Sequence, residues 1–201
     1  MQSAGTDPVK RILVSGMAVI DFVFVVDEMP RRAEKYRAGD QAIIGGGGGA
    51  NAAVAVHRLG GSAVLAARLG DDPIGDMIAA GLREEGLDTT SIRRTKGARS
   101  ALSSVLVDAE GERQIVNFRG QGLPDDAGWI AQLPGPFAAA LTDTRWQAGA
   151  RAVLKRANKD GVPGVLDAEA PVHADLASLA SHVAFSEQGL RSFTGIHERE
   201  P

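Results

Sequence analysis

Short apolar runs alternate with amphipathic stretches along most of the chain. Residues 12–15 form an apolar run that ends at Gly16, the pattern of a buried strand. Residues 22–26 form a second β-type run, broken at Met29-Pro30. Over 50–59 the apolar positions fall at helical spacing and stop at Gly60-Gly61. Residues 63–69 read as a strand. Asp72-Pro73 then supplies an N-cap and a proline at the first helical position. Ile74, Met77, Ile78 and Leu82 share one face of the helix that follows, and Gly86 ends it. Residues 101–107 and 113–118 predict a hairpin around the turn 108–112. Beyond it the pattern predicts a strand at 137–141, a helix at 147–158 closed by Gly161, and strands at 162–166 and 182–185 around a helix at 175–180.

This order is mostly strand, helix, strand, helix. It predicts an α/β fold: a doubly wound, mostly parallel sheet with helices on both faces and right-handed crossovers. Two strand-rich segments without helices, about 22–44 and 98–119, are expected to pair as a small separate sheet. Residues 1–9 read as a flexible tail and 10–201 as one domain. Composition narrows the function classes. The 201 residues are 44% hydrophobic and 23% charged, which is a globular balance. A net charge of −3 gives no basic footprint for nucleic acid or an anionic membrane. No cysteine is present, so disulfides and thiolate metal sites are excluded. His57, His173, His182 and His197 are scattered, without metal-ligand spacing. No apolar run approaches the roughly 20 residues of a membrane span, and the first residues lack a signal-peptide core, so a cytoplasmic location is expected.

The candidate chemistry lies in IIGGGGGANAAVAVHRLGG, residues 43–61, where five glycines lead into a helix. A helix N-terminus offers unpaired N–H groups and partial positive charge, and glycines let a ligand approach them closely. A Walker A loop is excluded, because Ala50-Asn51-Ala52 stand where Lys and Ser/Thr are required. A dinucleotide fingerprint is met formally by Gly45, Gly47 and Ala50, with Asp71 about 20 residues on. A run of glycines satisfies many such patterns, and this one follows a complete earlier β segment. A plain glycine turn before a helix is the third reading. By themselves Asp21 reads as a strand terminator and Asn51 as a helix cap.

Several spaced positions together resemble the PfkB/ribokinase family of carbohydrate kinases. Gly46-Gly47-Gly48-Gly49-Ala50-Asn51-Ala52-Ala53, then Gly60 and Gly70, resemble its N-terminal signature. ILVSGMAVID resembles the opening strand with its Asp, here Asp21. RLGDDPIGDMIAAGLREEGLDT resembles the G-D-D-x-x-G segment and its helix, and VLDAE and HVAFSEQGLRSFTG resemble later landmarks. The likeness runs from about residue 11 to the end. It implies a ribokinase-like α/β domain with a small β lid over a sugar site, ATP-dependent phosphorylation of a sugar hydroxyl, and a small-molecule sugar as partner. Asp21, Asn51 and the backbone of Gly46, Gly47 and Gly48 would hold the sugar. The lid can also pair across a homodimer.

EKYRAGDQAIIGGG, RQIVNF, LTDTRW and AFSEQGLRSFTG are similar to the sulfofructose kinase branch, whose substrates carry a sulfonate. That likeness carries an anion grip onto Lys35, Asn117 and Arg145; charge-assisted bonds from Lys and Arg suit sulfonate oxygens. A related unsulfonated sugar or sugar phosphate is the other substrate reading. The family's base and anion hole belong to a Gly-Ala-Gly-Asp segment that this sequence does not contain. That segment is expected beyond Pro201, so no residue of the chain is assigned as catalytic. The family's Asn-x-x-Glu landmark is Ser186-Glu187-Gln188-Gly189 here. Glu187 is the one candidate near ATP and Mg²⁺, and no metal ligands are assigned. The expectation is a truncated family member lacking the C-terminal part of the fold, which does not bind ATP competently or catalyse transfer by itself. A non-catalytic sugar-binding remnant and a dinucleotide-binding oxidoreductase domain are the alternatives.

Overall fold

The computed structural model describes residues 10–196. The expected tail at 1–9, His197 and Pro201, the residue beyond which the base is expected, lie outside the described residues. Among the described residues ten strands form two sheets. The larger has the order β10-β9-β8-β1-β4-β5 and is parallel throughout. Its strands are β1 (Arg11–Ser15), β4 (Ser62–Gly70), β5 (Ile92–Thr95), β8 (Ala139–Asp143), β9 (Gly164–Ala168) and β10 (His182–Phe185). The smaller has the order β3-β2-β6-β7, from β2 (Val19–Val25), β3 (Asp40–Gly46), β6 (Leu102–Val107) and β7 (Arg113–Phe118). The doubly wound α/β expectation is met.

Alternation along the strands sorts the core. Val14 and Leu65 point to one side, where α1 (Gly48–Arg58) and α2 (Pro73–Glu84) bury Ala50, Ala53, Ile78 and Leu82 against them. Leu13 and Ala66 point to the other, toward Val153 and Ala157 of α3 (Gln147–Asp160). α3 also packs through Leu154 on Leu166 and on Leu176 of α4 (Ala174–Leu179). From β1 the chain moves outward to β4 and β5, then returns to the opposite side of β1 at β8. The strand order therefore reverses between β1 and β8, the place where open α/β sheets bind ligands at their carboxyl ends.

The two crossovers that supply β2–β3 and β6–β7 leave the main sheet beside this point. In the small sheet, register partners lie in one row, so Ile44, Asp21, Ser103 and Asn117 share a face. The opposite face seats Ile20, Phe22 and Leu102 on the α1–α2 core.

Several details differ from the sequence reading, among them β2, which starts at Val19, three residues before the expected run. Helix α1 starts at Gly48, two residues early, and Gly45 and Gly46 belong to β3. β8 and β9 lie two residues later than the apolar runs suggest, because Phe137 packs under Arg11 and Arg156 ahead of the strand. β5, sequence IRRT, went unseen because Ile92 is its one buried residue. A 3₁₀ helix at Gly128–Gln132 buries Trp129 and Ile130 without any periodic pattern. After β10, α5 (Glu187–Thr194) closes the described chain.

The Gly-Asp-Asp segment ties the main sheet to the small one. Asp72 caps α2 by accepting from Gly75 N–H (2.9 Å), and also accepts from Ser100 N–H (2.9 Å) and Ser100 O–H (2.6 Å). Ser100 in turn accepts from Gly70 N–H at 2.9 Å. Burial works against the charge, but these donors and Arg94 hold the Asp72 carboxyl below its ordinary value. Asp72→Ala should destabilise the protein by about 2 kcal/mol in urea unfolding at pH 7. The carboxyl is depressed in the folded state, so its contribution is present above pH ~4 and is lost as the pH falls through the folded pKa. The gap between wild type and variant should narrow in acid.

Candidate functional site

The carboxyl ends of β1, β8 and β9 meet the start of α1 at the strand-order reversal. The glycine run makes the approach. Gly47 has φ +94°, and a Cβ there would sit 2.3 Å from the Met17 carbonyl. A Cβ on Gly49 would lie 2.8 Å from the Gly16 backbone. The N-terminus of α1 is partly closed by the fold itself. Ala50 N–H donates to Met17 C=O (3.1 Å), and Gly49 N–H donates to Asp143 Oδ2 (3.0 Å). Gly48 N–H has no acceptor among the described residues. The expectation that the helix start offers its donors freely is corrected to that extent.

Asp143, absent from the sequence-predicted set, sits at the centre. It is 4% exposed at the end of β8. Oδ2 also accepts from Met17 N–H (2.8 Å), and Oδ1 accepts from Arg145 N–H (2.9 Å). Burial pushes its carboxyl up, against the three N–H donors and the Arg145 charge. Its register partner on β9 is Asp167. Asp167 is raised by burial and by the charges of Glu169 and Asp143, with Arg145 offsetting part. The signal for Asp143 was an acid ending an apolar strand in LTDTRW.

Arg145 leads from this carboxylate to a cleft of about 70 Å³. Its guanidinium donates to Ala170 C=O (2.9 Å) and pairs with Glu169. Arg68, Arg119 and Trp146 line the same cleft, with Met17 and Ala18 of the β1–β2 turn. Arg68 lies over the Trp146 ring at 4.5 Å; burial lowers its pKa, while Asp125 and Asp143 favour its charge. Arg119 has no hydrogen-bond or ion-pair partner among the described residues.

The other predicted residues are distributed around this centre. Asp21 lies mid-strand in β2, so it does not terminate the strand. It accepts no hydrogen bond among the described residues, and a Cβ on Gly46 would stand 2.7 Å from its Oδ2. Asn117 donates to Ser103 Oγ (3.0 Å) in the same row. Asn51 is inside α1, whose N-cap is Gly47, so it is not a cap. It lines a larger groove of about 980 Å³ between β2–β3 and α1–α2, with apolar walls including Ile43, Val54, Leu59 and Met77. Lys35 is exposed in the segment joining β2 to β3. The structure thus brings Arg145 to Arg68 and Arg119 rather than to Lys35. Glu187 pairs with Arg191 on α5 (2.6 Å). Among the described residues no three His, Asp or Glu side chains gather as a metal-ligand set.

The dinucleotide reading does not survive this geometry. Gly45 and Gly46 lie in an antiparallel outer strand of the small sheet, not after the first strand of the parallel one. The comparisons agree with the fold. The model of the pfkB family carbohydrate kinases matches residues 9–201. The chain belongs to that family. Fructokinase-1 of Zea mays is 47% identical over 74 residues, which are 37% of this chain and 23% of the maize protein. A solved structure from Agrobacterium tumefaciens, assigned as a ribokinase, superposes with a TM-score of 0.84 at 38% identity, covering 95% of this chain and 64% of that one. The Arabidopsis thaliana ribokinase solved with ribose and ATP gives 0.78 at 22% identity, over 94% of this chain and 64% of its own, and shows the fold. This pfkB-family chain therefore spans less than two thirds of each of these relatives.

Asp167 accepts no hydrogen bond among the described residues, so Asp167→Asn removes repulsion without removing a partner. Its folded pKa is raised, and the charged form lowers stability as the pH rises from the unfolded pKa through the folded one. The variant should melt higher than wild type at pH 7, and the difference should vanish below about pH 4. Calorimetric Tm values across that range check both parts.

Proposed function

We propose that this chain forms the sugar-recognition part of an ATP-dependent sugar kinase, and that its sugar is a ketose carrying a phosphate or sulfonate. The observation that carries the reading is the convergence of Arg68, Arg119 and Arg145 on one cleft beside the glycine segment, with Arg119 unpaired among the described residues. Guanidinium groups recognise such oxyanions in a bidentate way, and a partly buried cleft strengthens the contact. The ketose follows from the relatives named fructokinase. 6-Deoxy-6-sulfofructose is the specific candidate that the LTDTRW and RQIVNF segments suggest.

Asp21 supports the neutral end of such a ligand. A half-buried carboxylate without a partner is a pure acceptor, suited to fixing sugar hydroxyls. Gly46 keeps the space beside it open, and Gly48 N–H adds a donor. Lys35 and Asn117 extend the reading toward the rim, and Asn51 toward α1. ATP with Mg²⁺ would supply the phosphoryl group in the full reaction. The described residues form no metal-ligand set, so no step through the metal is assigned to them. Nor is any of them assigned as the base or as a donor to the moving phosphoryl group, and the chain's own role is to bind and orient the sugar. A binding protein without turnover is the second reading, favoured by the pairing of Glu187 with Arg191.

Isothermal titration of the full chain with fructose, fructose 6-phosphate and 6-deoxy-6-sulfofructose tests the proposal. An anionic ketose should bind at least about tenfold more tightly than fructose, and Arg119→Ala should abolish that preference. Asp21→Ala should weaken all three sugars. Equal affinities, or binding of none of them, would sink the reading. ATP consumption in the same samples separates kinase from binding protein.

We also propose pairing through the small sheet in a homodimer. Val25, Ile44 and Ile115 share the Asp21 face and are 43%, 51% and 57% exposed, an apolar patch on the small sheet. Sedimentation should report a dimer that Ile115→Asp converts to monomer.

A further inference from the structure

One buried carboxylate joins two remote backbone segments to the connection that follows its own strand. Asp143 accepts from Met17 N–H in the β1–β2 turn, Gly49 N–H in the first turn of α1, and Arg145 N–H in the β8–α3 connection. Met17 and Gly49 are distant from Asp143 in sequence, whereas Arg145 lies two residues on, so the carboxylate joins two remote segments to its own connection. Gly16 leaves room for it: a Cβ there would lie 2.2 Å from Asp143 Oδ2. A leucine or valine would leave three N–H groups without an acceptor. Asparagine offers one oxygen, and its amide would present N–H to a site that needs an acceptor.

The charge is placed against stability. It is almost fully buried, its carboxyl is pushed up, and Asp167 stands next to it in register. A fold in need of packing alone would gain from a neutral apolar residue on a strand. What the carboxylate secures is relative position. It sets the glycine segment against the turn after β1, and both against the backbone of Arg145, whose guanidinium lines the cleft. We propose that Asp143 is a positioning residue of this site: it does not touch the sugar, but fixes Arg145 relative to the glycine segment and so sets the preference for an anionic ligand. The link to ligand preference rests on the sugar-binding reading above; the clamp itself does not.

Hydrogen exchange on the full chain, wild type and Asp143→Asn, tests the clamp. Exchange at Met17, Gly49 and Arg145 should accelerate by about tenfold or more in the variant, while amides of β4 stay unchanged. Titration with fructose and fructose 6-phosphate then tests the preference. The ratio of the two affinities should fall toward one in the variant. A loss of stability alone would lower both affinities together and leave the ratio intact. Unchanged exchange at the three amides, or accelerated exchange with the ratio preserved, would overturn the proposal. Should Asp143→Asn not fold, the wild type decides. Its three amides should then exchange at a common rate, slower than Gly48, and rates spread over more than about tenfold would overturn the clamp. If wild type binds none of the sugars, the sugar-binding reading falls, and the exchange data still decide the clamp.

Discussion

The site depends on two stretches of backbone lying in contact, the glycine segment at the start of α1 and the turn after β1. Their separation leaves no room for a side chain, since a Cβ at Gly49 would meet the Gly16 backbone and one at Gly47 would meet the Met17 carbonyl. Helix α1 can therefore lie low on the sheet, with Ala50 and Ala53 as its buried surface. Small residues serve here as spacers that set a distance. That distance brings the end of β3, with Asp21 beside it, to the carboxyl ends of β1 and β8.

The electrostatics follow from the same contact. A free helix N-terminus would attract an anion directly. In this chain Asp143 occupies one donor of α1 and the Met17 carbonyl another, so the protein's own carboxylate already answers much of that field. Anion affinity has to come from full charges nearby. Under the proposed reading Arg68, Arg119 and Arg145 meet that need: Glu169 holds Arg145, the Pro124 carbonyl and Asp125 hold Arg68, and Arg119 is left without a partner among the described residues. Two carboxylates with raised pKa values beside one unpaired cation are an arrangement that stability alone does not favour.

Much of the fold was legible in the sequence because its signals are local. Asp72-Pro73 marks the start of α2, Gly86 and Gly161 mark helix ends at positive φ, and the 108–112 turn joins its two strands. β5 and the 3₁₀ helix were not legible, since each is specified by one or two buried side chains and by tertiary contact. The site divides in the same way. Asp21, Arg145 and the glycines stand out by motif. Asp143 was hidden because an acid at a strand end reads as a solvated turn until the fold buries it. Arg68 and Arg119 were hidden because they come from β4 and from the residue after β7, which only the topology brings together. Lys35, carried over by the resemblance, lies in the exposed connection between β2 and β3, and the arginines that gather around Arg145 carry no shared motif.

The altered Asn-x-x-Glu landmark has a physical reason of its own. Gly189 stands where the resemblance has Glu, and a Cβ there would come within 2.0 Å of the Ala168 carbonyl at the end of β9. Helix α5 is packed on that carbonyl, capped by Ser186 accepting from Gly189 N–H (3.0 Å), and anchored by Phe193 against Phe185 at 5.3 Å. With α5 this close, no side chain fits at 189, whatever its charge. The carboxylate of the neighbouring turn, Glu187, is engaged by Arg191 on the same helix. A Glu at 189 would require the helix to move outward before its carboxylate could act on anything.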